Sequence, residues 1–349
     1  MHIHRLDALD FIETGRCLLS VDMAEGLSRI SKLQPVMIIA AAVAGIILGQ
    51  NTFFSDNTGM LIEPFLMVLL FFIFLRVDIK DIGKSIKNVK FTGISLLINF
   101  VWTPLFAVML GYLFLGDSMD MQIGFLMLLA TPCTDWYLVF TGLTKGNVSL
   151  NAAILPLNLV IQVLLLPFYL YLFIGTGSSS FDMGSMLIGI VYVLVIPFVL
   201  ANIVKFLVAG IKKKERSREI LDDHGDNFQL FFLCLAVVVM FASQGELIVD
   251  NPILLLEMLL PLGIFFTVNF VIAQIIGRRL RFSFDDTTAL TFTTLARNSP
   301  LALAIAVAAF PESPIIALVL IIGPLIELPV LSLVSSILLK MREKTGLES

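Results

Sequence analysis

Two short polar stretches interrupt otherwise apolar segments, one in each half of the chain. The first reads TPCTDW, from Thr131 to Trp136, and the second reads ARNSP, from Ala296 to Pro300. An ionisable group in the middle of a bilayer costs several kcal/mol unless it is paired or faces water, so Asp135 and Arg297 indicate function. Matched interruptions in two halves of a chain are typical of the binding site of a secondary transporter.

The first interruption combines a helix breaker with a soft ligand. Pro132 removes a backbone donor and obstructs the preceding turn, so we expect the helix to break there. The freed backbone groups then need a substrate, an ion or a crossing helix as partners. Cys133 adds a soft sulfur that suits thiophilic solutes, although a buried cysteine often only fills space. We expect Cys133 and Thr134 to contact the substrate.

Asp135 has Arg297 of the other interruption as its natural partner. If the two broken segments cross, the charges could meet near the membrane midplane, and burying the pair is much less costly than burying either alone. The pair could be structural, or it could couple or gate transport. An aspartate can take up a proton at this depth, whereas an arginine stays charged.

The second interruption carries its own breaker and polar lining. Pro300 plays the breaking role, and Asn298 and Ser299 are expected to contact the substrate. Asn158 and Gln162 fall in the comparable part of the fifth apolar segment. Interhelical hydrogen bonding, which needs no substrate, is the simplest role for these two amides.

A third disturbed stretch, GPLIELPVL, lies in the last apolar segment. Gly323 and Pro324 predict a further break in the helix. Glu327 follows them as a carboxylate within the membrane, and we assign it to coupling or gating.

The composition places these residues in lipid. Of the 349 residues, 58% are hydrophobic and 14% are charged, whereas soluble domains carry about 25% charged residues. Three unpaired cysteines exclude a disulfide framework and a CxxC metal site. No HExxH, GxSxG or P-loop pattern occurs. We therefore expect neither an enzyme nor a resident metal, cofactor or nucleic-acid partner.

Ten apolar runs predict an all-α, polytopic membrane protein, because only helices and closed barrels satisfy the backbone in lipid. In order, the predicted spans are Pro35–Gln50, Met60–Leu75, Phe91–Leu115, Gln122–Phe140, Asn151–Ile174, Gly184–Ala209, Phe228–Ala242, Pro252–Gly277, Thr287–Phe310 and Pro314–Lys340.

The loops between these spans alternate in charge. Lys and Arg lie before span one, in every second loop and in the tail. The other loops carry acidic residues and no Lys or Arg. Because positive loops stay in the cytoplasm, both termini are expected there. Five spans on each side of the acidic loop make the second half an inverted copy of the first. The predicted units are a cytoplasmic segment 1–34, repeats 35–175 and 184–340, and a tail 341–349.

The first 22 residues are polar and mixed, without the pattern of a secretory signal. They could form an amphipathic surface helix. We favour the other explanation, that translation starts at Met23.

Three stretches, TPCTDWYLVFTGLTKGN, FTTLARNSPLALAIAVAAF and GPLIELPVL, resemble the bile acid:sodium symporter superfamily, in particular its arsenical-resistance (arsenite permease) branch. The resemblance extends from about Lys32 to Lys340. It implies ten spans in two inverted repeats, with crossed broken helices in spans four and nine. In that branch a span-four cysteine contacts the substrate, and Cys133 matches it. The branch exports trivalent arsenic without sodium, using the membrane potential or the proton gradient.

The sequence also departs from its relatives. Sodium-coupled members carry a Glu and a Gln where this chain has Thr293 and Arg297, and a fixed guanidinium would repel sodium and replace its charge. Arsenite permeases often carry a Glu at the place of Pro300, and Asp135 replaces a small residue. We therefore expect an arsenite or metalloid efflux permease of the cell membrane, driven by the membrane potential or the proton gradient and independent of sodium. The alternative is a transporter of a small organic anion, such as a bile-acid-like solute or a keto acid, with or without sodium coupling. Arg297 would then neutralise its carboxylate.

Overall fold

The computed structural model describes residues 36–37, 40–76, 88–116, 118–133, 136–174, 183–209, 228, 231–232, 234–239, 241–243 and 252–344. The described helices are α1 (Ala40–Gly49), α2 (Thr52–Arg76), α3 (Val89–Leu97), α4 (Thr103–Phe114), α5 (Met119–Ala130), α6 (Trp136–Leu143), α7 (Val148–Ile174), α8 (Met183–Ala209), α9 (Pro252–Arg279), α10 (Phe284–Leu295), α11 (Ser299–Ala309) and α12 (Pro314–Lys344). A π-helical turn, Ile98–Trp102, joins α3 to α4. The prediction of an all-α membrane protein is confirmed.

Four of these helical segments are long and apolar enough to cross a membrane unaided, namely Val89–Phe114, Val148–Phe173, Leu256–Arg279 and Pro314–Lys344. Spans four and nine are instead split into α5 and α6 and into α10 and α11, as the two interruptions predicted. Parts of spans one and seven lie outside the described residues. The total of ten spans, the inverted repeats and the end segments 1–34 and 341–349 stay predictions.

The exterior of the bundle is apolar and its interior carries polar groups. Large hydrophobic side chains such as Tyr112 and Phe206 are about four-fifths exposed, and such a surface is stable only against lipid. The buried polar residues concentrate around the two broken spans, where α10 alone buries five threonines, Thr287, Thr288, Thr291, Thr293 and Thr294. This distribution indicates that the broken spans line the functional interior.

Two glycines bring α5 and α12 close together. A Cβ atom on Gly124 would lie 2.8 Å from the Cβ of Val319, and one on Gly323 would lie 2.6 Å from Leu128 Cδ1. Small residues at helix interfaces permit such close approach in membranes. The helix α12 remains continuous through Gly323 and Pro324, so the break predicted there is wrong. Proline is tolerated in membrane helices whose neighbours compensate for the lost backbone bond.

The far ends of the two broken spans are tied together at one side of the membrane. The main-chain N–H of Asn147, after α6, donates to Asp285 O at 3.1 Å, and its side chain donates to Asp286 at 2.7 Å. Arg342 of α12 pairs with the carboxylate of Asp285 at 2.9 Å and donates to Lys145 O at 2.7 Å. These contacts fix α6, α10 and α12 relative to one another.

Candidate functional site

The two interruptions cross and hydrogen-bond to each other. Cys133 N donates to Ala296 O at 3.0 Å, and Asn298 N donates to Thr131 O at 2.7 Å. Pro132 and Arg297 thereby form an isolated antiparallel bridge. Unwound backbone inside a membrane needs such partners, because lipid offers none. The crossing that inverted broken spans predict is therefore present.

The guanidinium of Arg297 sits at the carboxyl ends of both first half-helices. Its nitrogens donate to Leu129 O of α5 at 2.9 Å, to Leu295 O at 3.2 Å and to Thr294 O. The side chain of Asn99, in the π-helical turn, accepts a further bond at 3.3 Å. Carbonyls at helix carboxyl ends carry partial negative charge, so they suit a cation.

The guanidinium of Arg297 is almost completely buried, so its N–H groups need hydrogen-bond partners within the protein. Arg297 is 2% exposed, and its guanidinium carbon lies 5.1 Å from the centre of the Phe265 ring. Four of its five N–H groups are used by oxygens of the protein. The hydrogen bonds of the guanidinium are therefore made to neutral oxygens, beside an aromatic face. Asp135, the partner expected from sequence, lies outside the described residues, and that pairing stays a prediction.

The amino ends of the second half-helices also meet at the crossing. The sulfur of Cys133 accepts from Trp136 N at 3.2 Å at the start of α6, and Asn298 Oδ1 accepts from Leu301 N at 3.2 Å at the start of α11. Helix amino ends carry partial positive charge. Cys133 is buried and is not part of a disulfide. The thiol is thus placed in an electropositive environment.

The remaining predicted residues surround these ends. Asn298 Nδ2 and Ser299 Oγ are buried and have no hydrogen-bond partner among the described residues. Pro300 lies in the first turn of α11, where its missing N–H costs nothing, so it starts the second half-helix. Thr134 lies outside the described residues.

Glu327 of α12 reaches the crossing from the side. It is 3% exposed, and its Oε1 accepts from the main-chain N–H of Arg297 at 2.9 Å. A cavity of about 30 Å³ is bordered by Glu327, Ser299 and Trp136 among others. That volume holds about one or two water molecules. A solute larger than this cavity therefore requires the lining residues to move apart.

Sequence reasoning missed Asn99 and Phe265, which hold the guanidinium. The signal for Asn99 was present, since it is an amide within an apolar span. The position of Phe265 carried none, because phenylalanine is common in this chain. The bond from Glu327 to the backbone of Arg297 was also not foreseen, since it depends on how α12 packs against the crossing.

Comparisons with known proteins find relatives that align with most of the chain. The chain is 26% identical over 325 residues to the arsenical-resistance protein Acr3 of Corynebacterium glutamicum, and the alignment covers 87% of each chain. It is 20% identical over 330 residues to the arsenical-resistance protein Acr3 of Alkaliphilus metalliredigens, covering 89% of this chain and 92% of the relative. An uncharacterized transporter of Synechocystis is 23% identical over 295 residues, covering 79% and 77%.

A family model gives the assignment. The model of the sodium bile acid symporter family matches residues 63–251, which include the first broken span and its crossing residues Pro132 and Cys133. The match covers more than half of the chain, and the protein therefore belongs to the sodium bile acid symporter family.

Proposed function

We propose that the protein exports arsenite, or a closely related trivalent metalloid, across the cell membrane. The observation that carries this proposal is the crossing itself, where one segment carries a buried thiol and the other carries buried, unpartnered polar atoms on Asn298 and Ser299. Trivalent arsenic is thiophilic and carries hydroxyl groups, so Cys133 would bind the arsenic atom while Asn298 and Ser299 bind its hydroxyls. The two relatives described as arsenical-resistance proteins support the same solute.

Transport would not require sodium. The oxygens that surround Arg297 are the type that binds a coupling cation at half-helix ends, and a guanidinium already occupies them. A free sodium ion would be repelled from this position. We propose that the membrane potential or the proton gradient supplies the energy. Glu327, which contacts the crossing, would carry the proton. Asp135 and Arg297 would gate the site, and Thr134 would contact the substrate beside Cys133.

The positive loops favour a cytoplasmic location for both termini of this multi-pass protein, and the membrane would be the inner one. Export then requires the site to open first toward the cytoplasm, where the ties among Asn147, Asp285 and Arg342 lie.

The alternative solute, a small organic anion, is less well supported by the site. Its carboxylate would need free donors on Arg297, but four of the five N–H groups already donate to protein oxygens.

The decisive experiment measures arsenite accumulation in everted membrane vesicles, with and without a protonophore and with sodium varied. We expect accumulation that collapses with the protonophore and is indifferent to sodium. A carboxylate panel measured in the same vesicles is the comparison. Accumulation of a carboxylate without any movement of arsenite would replace this proposal by the organic-anion alternative.

A further inference from the structure

A second group of buried polar atoms lies on α7, away from the thiol. Asn158 and Gln162 are fully buried. Asn158 Nδ2 donates to Thr293 Oγ1 at 3.5 Å, but its Oδ1 has no partner within the described part of the chain. Gln162 has none for either Oε1 or Nε2. Interhelical hydrogen bonding, the role expected from sequence, therefore does not account for Gln162.

The position of Gln162 follows from its neighbours on the same helix face. Asn158 and Gln162 lie one turn apart on α7, and Tyr169 lies two turns further along, so the three side chains share a face. The Tyr169 hydroxyl donates to Phe100 O, in the π-helical turn, at 2.5 Å. Gln162 thus lies on the face of α7 whose other polar residues contact Thr293 of α10 and Phe100 of the π-helical turn. Single π-helical turns in membrane and soluble proteins are frequently found at functional sites.

The π-helical turn contributes polar groups to the same region. Asn99 Nδ2 donates to Thr293 O at 3.1 Å, which places Asn99 beside the residue that Asn158 also contacts. Thr103 follows Asn99 by one turn and is fully buried, and its Oγ1 is unpartnered among the described residues. The unpartnered atoms of Asn158, Gln162 and Thr103 include both donors and acceptors.

The charge nearby restricts what these atoms can bind. Arg297 donates to Asn99 Oδ1 at 3.3 Å, so a guanidinium borders the region. This charge repels a free cation, and the unpartnered oxygens of Asn158 and Gln162 need hydrogen-bond donors, which a fully deprotonated anion lacks. Unpartnered amides in a membrane are costly. An uncharged solute with several hydroxyl groups satisfies the donors and the acceptors together.

We propose that Asn158 and Gln162, with Thr103, form a second subsite that binds an uncharged, hydroxylated solute without the thiol. The identity of that solute as undissociated arsenous acid rests on the proposed function. The subsite itself recognises hydroxyl groups, so boric acid, which has three hydroxyls and no affinity for thiols, is a suitable probe. The solute would pass between this subsite and Cys133 during transport.

The two tryptophans of the chain report the two subsites separately. Trp102 lies in the π-helical turn and donates to Asn269 Oδ1 at 2.9 Å, whereas Trp136 adjoins Cys133. The experiment titrates boric acid and arsenous acid into the purified full-length protein, with Trp136→Phe leaving one reporter and Trp102→Phe leaving the other. We expect boric acid to change the fluorescence of Trp102 and to leave that of Trp136 unchanged.

Substitutions test the assignment. Gln162→Leu should raise the half-saturating boric acid concentration about tenfold or more, the effect of losing one good hydrogen bond. Its unfolding temperature should stay level or rise, because its amide has no protein partner to lose. Gln274→Leu is the matched control, since Gln274 donates to Thr291 at 2.9 Å. It should lower the unfolding temperature and leave boric acid binding unchanged. Asn158→Leu, in the same titration, guards against a folding defect in Gln162→Leu.

The outcomes separate the subsite from the proposed function. Unchanged boric acid binding in both Gln162→Leu and Asn158→Leu, or no response of Trp102 to either acid, overturns the subsite. A Trp102 response to boric acid that depends on Gln162 supports it, even where arsenous acid leaves Trp136 unaffected. That last result would contradict the role of Cys133 in binding arsenic and would still support the subsite at Asn158 and Gln162.

Discussion

Replacing Arg297 by methionine tests whether its guanidinium holds the crossing together. The substitution keeps an unbranched apolar stem and removes the donors to Leu129 O, Thr294 O, Leu295 O and the Asn99 side chain. A buried acceptor left without its donor costs about 1–3 kcal/mol. Four such acceptors at the low end give a loss of about 4 kcal/mol. Relief from burying a charge offsets part of this loss, and the lost contact with Phe265 adds to it.

We therefore expect Arg297→Met to lower the free energy of unfolding by about 3–4 kcal/mol. The assay is reversible unfolding in mixtures of mild detergent and dodecyl sulfate, in sodium chloride and in choline chloride. The vacated oxygens of two half-helix carboxyl ends suit a small cation, so sodium should restore part of the stability of this variant. Wild-type stability should be the same in both salts.

Arg297→Lys is the matched control. It keeps the charge, but a lysine reaches fewer of the oxygens, so we expect an intermediate loss and no response to sodium. The reasoning is refuted if Arg297→Met is within about 0.5 kcal/mol of the wild type, the range of ordinary surface changes. A wild-type protein that sodium stabilises would equally contradict a guanidinium that occupies the cation position.

Three further changes have defined outcomes. In Glu327→Gln an amide oxygen still accepts the main-chain N–H of Arg297, so the free energy of unfolding should fall by less than about 1 kcal/mol. Arsenite accumulation in vesicles should lose its response to a protonophore. A retained response contradicts proton transfer by Glu327. Gly124→Ala places a Cβ 2.8 Å from a side-chain carbon of α12 and should lower the free energy of unfolding by about 1–3 kcal/mol. Gly93→Ala is its control, because a Cβ there has nothing within 4 Å. Equal effects of the two substitutions would contradict close packing of α5 against α12. Asp285→Asn breaks the ion pair with Arg342, but the side chain of Asp285 is 47% exposed. The free energy of unfolding, measured with urea or heat, should therefore fall by less than about 1 kcal/mol. A larger loss would contradict the screening of this pair by solvent.

Much of the fold was predictable because lipid imposes strong rules on sequence. Proline and charge within apolar segments located the breaks before α6 and α11, and inverted repeats predicted that they cross. The prediction of a helix break at Gly323 and Pro324 was wrong because it used the local sequence alone. Local sequence marks where a helix can break, but the packing of α12 against α5 decides whether it does.

The partners of the buried polar groups were less predictable. A charge pattern suggested Asp135 for Arg297, whereas the described partners are mostly main-chain carbonyls, which every residue possesses. The buried threonines Thr291 and Thr294 of α10 donate to carbonyls one turn back in their own helix. Which polar atoms remain unpartnered, as on Gln162, emerges only from three-dimensional packing.

The most direct test of the central claim compares arsenite accumulation in everted vesicles for Cys133→Ser and Cys234→Ser. Cys133 lies at the crossing, whereas Cys234 is a second cysteine, also not in a disulfide and only half-buried. The account predicts that Cys133→Ser abolishes arsenite accumulation at an unchanged protein level, because serine keeps a hydrogen-bonding group but lacks the affinity of sulfur for arsenic. It predicts that Cys234→Ser transports arsenite at the wild-type rate. Arsenite accumulation by Cys133→Ser at the wild-type rate would contradict the account.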